Sequence, residues 1–277
     1  MPELPEVETI ASELNTRLAG RNIDGTEVLW PRTVGYPSPD EFAAAATGTR
    51  VEGVGRRAKY ILIRLAGGGQ IAIHLRMTGR LTIEPAQAPR APSTRLVLQL
   101  DGGDELRFAD VRKFGRFYLM PAGHTLPLRS FAALGPEPLE EAFTPDLLAA
   151  RVAARRGNVK AALLGQRLVA GLGNIYADEA LFRARIHPRR TLASLSAGEI
   201  RALHDAIVSV LQQALGQGGT SFSDYRTTWG RLGGYQNELS VFRKAGSPCP
   251  VCGIPIERAV VAGRGTYYCP ECQTAGS

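Results

Sequence analysis

The sequence predicts an α+β protein: an N-terminal antiparallel β-sandwich preceded by one helix, then a mainly helical domain that ends in a small cysteine-bearing β-hairpin. Three observations predict it. Apolar residues recur with helical period over the first twenty positions, short β-branched runs separated by glycine-rich breaks fill residues 21 to 120, and helical periodicity returns after Thr144. The expected domains are residues 1–135, 136–242 and 243–277.

The first helix follows Pro5, with Val7, Ile10, Ala11, Leu14 and Leu18 on one face, Glu6 and Glu8 in the first turn, Arg17 in the last and Gly20 beyond. Proline early, acid at the start, base at the end and glycine past it are consistent helix signals. Strands are expected at Val51–Val54, Tyr60–Leu65, Gln70–Leu75, Leu96–Leu100, Leu106–Phe108 and Phe117–Met120, punctuated by Gly67-Gly68-Gly69 and Gly102-Gly103 as hairpin turns would be. Leu134-Gly135-Pro136-Glu137-Pro138 reads as a linker. Thr144-Pro145 reads as an N-cap followed by proline at the first helical position, and Ser196 with Glu199 as a capping box. The box precedes an amphipathic run through Ile200, Leu203, Ile207, Val210, Leu211 and Ala214. The segment from Gln217 to Phe242 is long and rich in glycine, which fits either a functional loop or a disordered one.

A net charge of +7 and a pI near 9.5 make a polyanion the expected partner, with nucleic acid favoured over a membrane. No apolar run reaches the roughly 18 residues of a membrane span, and the first residues are acidic and amphipathic rather than signal-like. A cytoplasmic, intracellular protein is expected.

All four cysteines lie at the end, as Cys249, Cys252, Cys269 and Cys272 in the spacing C-x2-C-x16-C-x2-C. Two such pairs across a hairpin can place four thiolates round one tetrahedral zinc. Two disulfides are the competing reading, but nothing else points to an oxidising compartment. Four sulfurs would close the coordination shell, so one structural Zn2+ is expected. The four histidines, at 74, 124, 187 and 204, show no ligand spacing.

The chain opens Met1-Pro2-Glu3-Leu4-Pro5-Glu6, and removal of Met1 would leave the secondary amine of a proline beside a carboxylate. An α-amino group has a pKa of about 7.7 to 8.0 against about 10.4 for lysine, so it is the better nucleophile at neutral pH. Its adduct with a sugar aldehyde carbon is an iminium with no proton to lose, an electron sink that favours elimination. A Met-Pro start also arises simply through removal of the initiator residue.

Pro2-Glu3-Leu4-Pro5-Glu6-Val7-Glu8, Arg56-Arg57-Ala58-Lys59-Tyr60, Gly171-Leu172-Gly173-Asn174-Ile175-Tyr176-Ala177-Asp178-Glu179 and the four-cysteine finger together resemble the formamidopyrimidine-DNA glycosylase family, in order and along essentially the whole chain. The resemblance implies a bifunctional DNA glycosylase and abasic-site lyase that excises oxidised purines from double-stranded DNA as a monomer. It implies Pro2 as nucleophile, Glu3 as proton donor to the sugar, and Lys59, on a strand, as a proton carrier. Met77, Arg112 and Phe114 match the residues that fill the space of the extruded base; core packing is the ordinary reading of Met77 and Phe114, but Gly79 and Gly115 argue for exposed loop tips.

By the same resemblance the second domain carries a helix-two-turns-helix element in which Arg155, Lys160 and Asn174 bind DNA. Arg264 in Gly263-Arg264-Gly265 holds a phosphate and assists the second elimination, and the 217–242 loop closes over the lesion. Two departures stand out. Pro92-Ser93-Thr94-Arg95 replaces a basic pair, leaving Arg95 as the substitute phosphate contact, and Val111 and Lys113 replace a proline and an arginine beside Arg112. The rival readings are an endonuclease VIII-like enzyme for oxidised pyrimidines and a non-enzymatic zinc-ribbon DNA-binding protein.

Overall fold

The computed structural model describes residues 1–124, 128–222 and 225–274, which fall into two compact units. The first comprises Met1–Ala132 and Gln217–Gly234, the second Ala133–Gly216 and Tyr235–Ser277.

In the first unit, α1 (Leu4–Leu18) buries the apolar stripe that the periodicity predicts and ends before Gly20, whose φ of 86° is the left-handed conformation that glycine tolerates. Then follow β1 (Ile23–Val28), β2 (Val34–Tyr36), α2 (Pro39–Ala46), β3 (Val51–Arg57), β4 (Tyr60–Leu65), β5 (Gln70–His74), β6 (Arg80–Pro85), β7 (Thr94–Leu100), β8 (Asp104–Ala109), β9 (Arg116–Met120) and a short α3 (Arg129–Ala132). Two sheets form, in the orders β1-β7-β8-β6 and β2-β9-β5-β4-β3. All neighbours are antiparallel except β2 and β9, which pair in parallel. Ile61, Ile63, Ile71, Ile73 and Phe117 from one sheet and Leu81, Leu96, Leu98, Leu106 and Phe108 from the other share a single core, with α1 laid on β3 and β4.

The sequence reading misses β1, β2, β6 and α2. In β1 only Ile23 is buried, so no alternation marks it. Helix α2 does carry a legible signal, since the Ser38 and Glu41 side chains and amides bond each other reciprocally in a capping box.

The segment Gln217–Gly234, expected with the helical domain, belongs to the first unit. Its ends meet where the Gly234 N–H donates to Gln217 O at 2.9 Å, and Tyr225 enters the sandwich core. The Cβ of any larger residue at 233 would lie 2.2 Å from Gly219 O, so the two strands of this loop cross at a distance only glycine allows.

The second unit contains α4 (Pro145–Ala153), α5 (Val159–Leu164), α6 (Asn174–Arg183), α7 (Ala197–Gly216) and the hairpin β10 (Glu257–Val261) with β11 (Arg264–Tyr268). Thr144 Oγ1 accepts from Leu147 N–H at 3.1 Å, and Ser196 and Glu199 form their capping box, as predicted. Helices α4 and α6 pack on α7, while β11 packs on α6. Among the described residues no helix is long and apolar enough to cross a membrane.

Gly79 and Gly115 both rest against the ring of the fully buried Phe108. A Cβ at Gly115 would lie 2.3 Å from Phe108 Cζ, and one at Gly79 2.4 Å from Leu75 O. Gly115→Ala should therefore lower stability in denaturant titration by about 1 to 3 kcal/mol, the usual cost of overpacking. An unchanged midpoint would show that the turn does not need this close approach.

Candidate active site and nucleic-acid interface

At the start of the first unit, Glu3 is the N-cap residue of α1 and is only 3% exposed. Its N–H donates to Glu6 Oε2 at 2.7 Å, while Glu6 Oε1 accepts the N–H of Thr220 at 2.7 Å. One buried carboxylate thus holds the catalytic candidate on one side and the 217–234 loop on the other. Pro2 is buried immediately ahead of this clamp, with Met1 preceding it.

Lys59 lies in the two-residue turn between β3 and β4 rather than on a strand, because Arg57 pairs with Tyr60 and Ala58 takes a φ of 53°. Arg56 braces that turn to the catalytic helix: its Nε donates to Glu8 Oε2 at 2.6 Å and its Nη1 to Ala58 O at 3.0 Å. Lys59 itself is only 6% exposed. Burial, with Arg76 and Lys59 nearby, pushes His74 down to about 3, so its ring is neutral at pH 7 and its Nδ1 accepts the Arg76 N–H.

Met77 and Phe114 are exposed, as the flanking glycines suggest. Asp110, 1% exposed, organises their two loops: Oδ1 accepts from Arg112 N–H and the Thr78 hydroxyl, and Oδ2 from the N–H groups of Phe114 and Gly115 at 2.8 Å. The Arg112 guanidinium rests 4.9 Å from the Phe114 ring centroid. Arg95 does not stand ready for a phosphate, because its Nε donates to Asp110 O at 3.0 Å and its Nη1 to Pro92 O. Lys113, replacing the expected arginine, stacks on Trp30 at 4.0 Å.

In the second unit, Lys160 departs from the expected DNA-facing position. Its side chain is fully buried, with Nζ 2.6 Å from Asp178 Oδ1 and donating to Thr266 Oγ1 at 2.6 Å. Burial pushes the Asp178 carboxyl above the usual carboxylate range, against the pull of Lys160 and of the Tyr267 N–H that Oδ2 accepts. Asn174 opens α6 and donates from Nδ2 to Gly265 O at 2.8 Å. These bonds fix β11, and the two-residue turn Ala262-Gly263, with φ of 51° and 71°, presents Arg264 exposed at its start. Arg155 is half-buried and braces carbonyls of Arg151 and Arg167.

Sequence reasoning does not single out Glu6, Asp110, Asp178 or Glu179 as site-forming. Glu179 accepts the N–H groups of Ser240, Val241 and Phe242 at 2.8 to 2.9 Å. Signals existed for two of them: Glu6 stands three residues after the N-cap, and Asp110 two before Arg112, in the Asx-turn relation.

The ligand atoms of Cys249, Cys252, Cys269 and Cys272 lie within 4.8 Å of one another, with Sγ pairs at 3.5 and 3.9 Å. Thiolates at about 2.3 Å from a tetrahedral zinc sit roughly 3.8 Å apart, so the donor set fits that ion and leaves no position for water. Freshly purified reduced protein should hold one zinc per chain, and Cys249→Ser should lose it and unfold the hairpin that presents Arg264, since metal binding and local folding are coupled. Metal analysis that finds no zinc would defeat this assignment.

Comparison with known proteins meets these sites at every level. Residues 1–117 match the formamidopyrimidine-DNA glycosylase N-terminal domain, 134–226 the formamidopyrimidine-DNA glycosylase H2TH domain, and 246–275 the zinc finger found in FPG and IleRS. A formamidopyrimidine-DNA glycosylase of Symbiobacterium thermophilum is 52% identical, covering 99% of this chain and 89% of that protein. The MutM (FPG) protein of Thermus thermophilus superposes with a TM-score of 0.90 at 42% identity, covering all of both chains. A point mutant of Lactococcus lactis FPG, solved with Fapy-dG containing DNA, gives 0.90 at 37% identity over 99% of this chain and all of that one. The chain belongs to the formamidopyrimidine-DNA glycosylase family.

Proposed function

We propose that this protein removes oxidised purines, 8-oxoguanine and formamidopyrimidines, from double-stranded DNA and then cleaves the resulting abasic site. The observation that carries the reading is the clamped amino terminus, in which Pro2 stands beside a buried Glu3 whose amide is fixed by Glu6 at the head of α1. Once Met1 is removed, the Pro2 nitrogen attacks the anomeric carbon and the damaged base leaves. Glu3 gives a proton to the sugar ring oxygen and the ring opens. The resulting iminium acidifies the neighbouring sugar carbon, so both flanking phosphates are lost in turn. Lys59 carries protons in these steps.

An extruded base leaves a gap that must be held open. Met77 fills it, Phe114 wedges the neighbouring step and Arg112 bonds the orphaned partner base. In the second unit Asn174 and Arg264 hold phosphates, and Arg264 assists the second elimination. Lys160 acts by fixing the strand that carries Arg264, and Arg155 by adding positive charge while it braces α4. Relatives of this chain are solved with DNA containing Fapy-dG, 8-oxo-G and an oxidised pyrimidine, so the preference for purines rests on the sequence resemblance and is tested by comparing excision of 8-oxoguanine with excision of an oxidised pyrimidine. An enzyme of this kind works wherever the chromosome is, in association with the nucleoid.

Borohydride trapping on a lesion-containing duplex tests the nucleophile, since only an amine-using lyase is reduced onto DNA. Protein that retains Met1 should give no adduct yet still bind, with Kd on the order of 10⁻⁸ M. Undiminished trapping by that protein would remove Pro2 from the mechanism. Glu3→Gln should lose base excision but keep cleavage of pre-formed abasic sites; equal loss of both would argue that Glu3 has another role.

Arg112 should read the base opposite the lesion. A guanidinium offers donors and no acceptor, so it satisfies the acceptor edge of cytosine and meets a donor on adenine. One such contact is worth about 1 to 3 kcal/mol, so Arg112→Ala should cut the preference for cytosine over adenine roughly ten-fold. Full retention of that preference would leave Arg112 a structural residue.

A further inference from the structure

Three residues on one face of α1, Glu6, Glu13 and Arg17, hold the 217–234 loop, and they do so in matching order. Glu6 accepts the Thr220 N–H at 2.7 Å, while Tyr225, whose hydroxyl donates to Gly218 O at 3.0 Å, joins the core cluster that includes Val7, Ile10 and Leu14 of α1. Glu13 Oε2 accepts both the N–H of Thr228 at 2.7 Å and its hydroxyl at 2.5 Å. Arg17 lies 4.5 Å from the Trp229 ring centroid, itself oriented by donation to Ile83 O at 3.1 Å. Positions 6, 13 and 17 fall on one side of a helix of about 3.6 residues per turn. The loop is therefore laid along the helix that carries Pro2 and Glu3, tooth by tooth.

The two ends of this attachment differ. Near the amino terminus the loop shares Glu6 with the Glu3 amide, so the backbone of Gly219 and Thr220 forms a wall beside the catalytic end. Two turns further along α1 nothing chemical is at stake, yet a charged carboxylate takes both donors of one threonine. The turn it grips closes on itself, with Thr227 N–H donating to Arg231 O and Gly230 N–H to Thr227 O, both at 3.0 Å.

We infer that Glu13 is a positioning residue for base excision: by gripping Thr228 it fixes the Thr227–Arg231 turn on α1, and that turn sets where Gly219 and Thr220 lie against Glu6 and Glu3. The inference rests on the glycosylase reading proposed above. A nucleotide that still bears its base needs that wall to be in place, whereas an abasic sugar presents no base to cover. The consequence of losing Glu13 is a split between two activities of one active site.

Single-turnover rates on two duplexes read this split, one with 8-oxoguanine opposite cytosine and one with a pre-formed abasic site. Glu13→Ala should slow excision of 8-oxoguanine about ten-fold or more, the scale of losing hydrogen bonds to a charged acceptor, while abasic cleavage stays within about two-fold. Glu13→Gln keeps an acceptor oxygen and should recover much of the loss. Trypsin should cut faster after Arg231 in the alanine variant than in the unmodified protein. Unchanged excision by Glu13→Ala, or an equal fall on both duplexes, would overturn the inference while the glycosylase reading stands. Unmodified protein that neither excises the base nor is trapped by borohydride would instead sink that reading and this inference with it.

Discussion

The buried Glu6 carboxylate is the interaction on which the arrangement of the first unit depends. It is 1% exposed and accepts N–H groups from both Glu3 and Thr220. A carboxylate taken out of water is costly unless its lone pairs are filled, and hydrogen bonds to a charged acceptor are worth about 1.5 to 3 kcal/mol each. The same requirement that keeps Glu6 stable thus ties a loop more than two hundred residues away in sequence to the first turn of α1. Removing either donor would leave part of the charge unpaired. Glu6 thus fixes the end of the loop beside Glu3, while Glu13 and Arg17 hold the loop further along α1.

The device recurs. Asp110 gathers three backbone N–H groups and a hydroxyl to shape the loop carrying Arg112 and Phe114, and Glu179 gathers three more at Ser240 to Phe242. Asp178, paired with Lys160, takes the Tyr267 N–H and so fixes β11 to α6. The segments held by Asp110 and Glu179 are irregular, and Tyr267 stands on a two-stranded hairpin whose outer edge has no further strand to satisfy it. Buried acids supply the acceptors that regular structure would otherwise provide. This explains how a basic protein can hold nearly fully buried carboxylates close to surfaces meant for a polyanion: the carboxylates face inward, committed to amides, and the exposed arginines face out.

What could be read from the sequence follows the same physical line. Helices α1, α4 and α7 announce themselves because capping and periodicity act over neighbouring residues. Six strands were legible for their β-branched runs; β1 was not, since it buries one residue, and β2 was not, since it has three residues and pairs in parallel with β9 from far along the chain. The cysteine cluster was legible because its geometry is encoded in two short spacings. The burial of Lys160, which the resemblance places among the DNA contacts, was not legible, because its partner Asp178 lies on the next helix and no local pattern links the two. The contacts of Arg95 were equally hidden, its Nε donating to the carbonyl of Asp110, fifteen residues on, and its Nη1 to that of Pro92.

Lys160 also shows why counting positive charge overstates the DNA-binding surface. A fully buried ion pair contributes little net stability compared with a well-packed apolar pair, because desolvation offsets the attraction. It does impose a geometry: Nζ must meet Asp178 and Thr266 together, and Asn174 must meet Gly265. The contacts of Lys160 with Thr266 and of Asn174 with Gly265 converge on the two residues that follow Arg264, with the Ala262-Gly263 turn just before it. Arg264 is left with a fixed backbone and an exposed head. An arginine whose backbone is already held loses less entropy on meeting an anion than one on a free loop, so what the buried lysine contributes is the placement of the strand rather than its own charge.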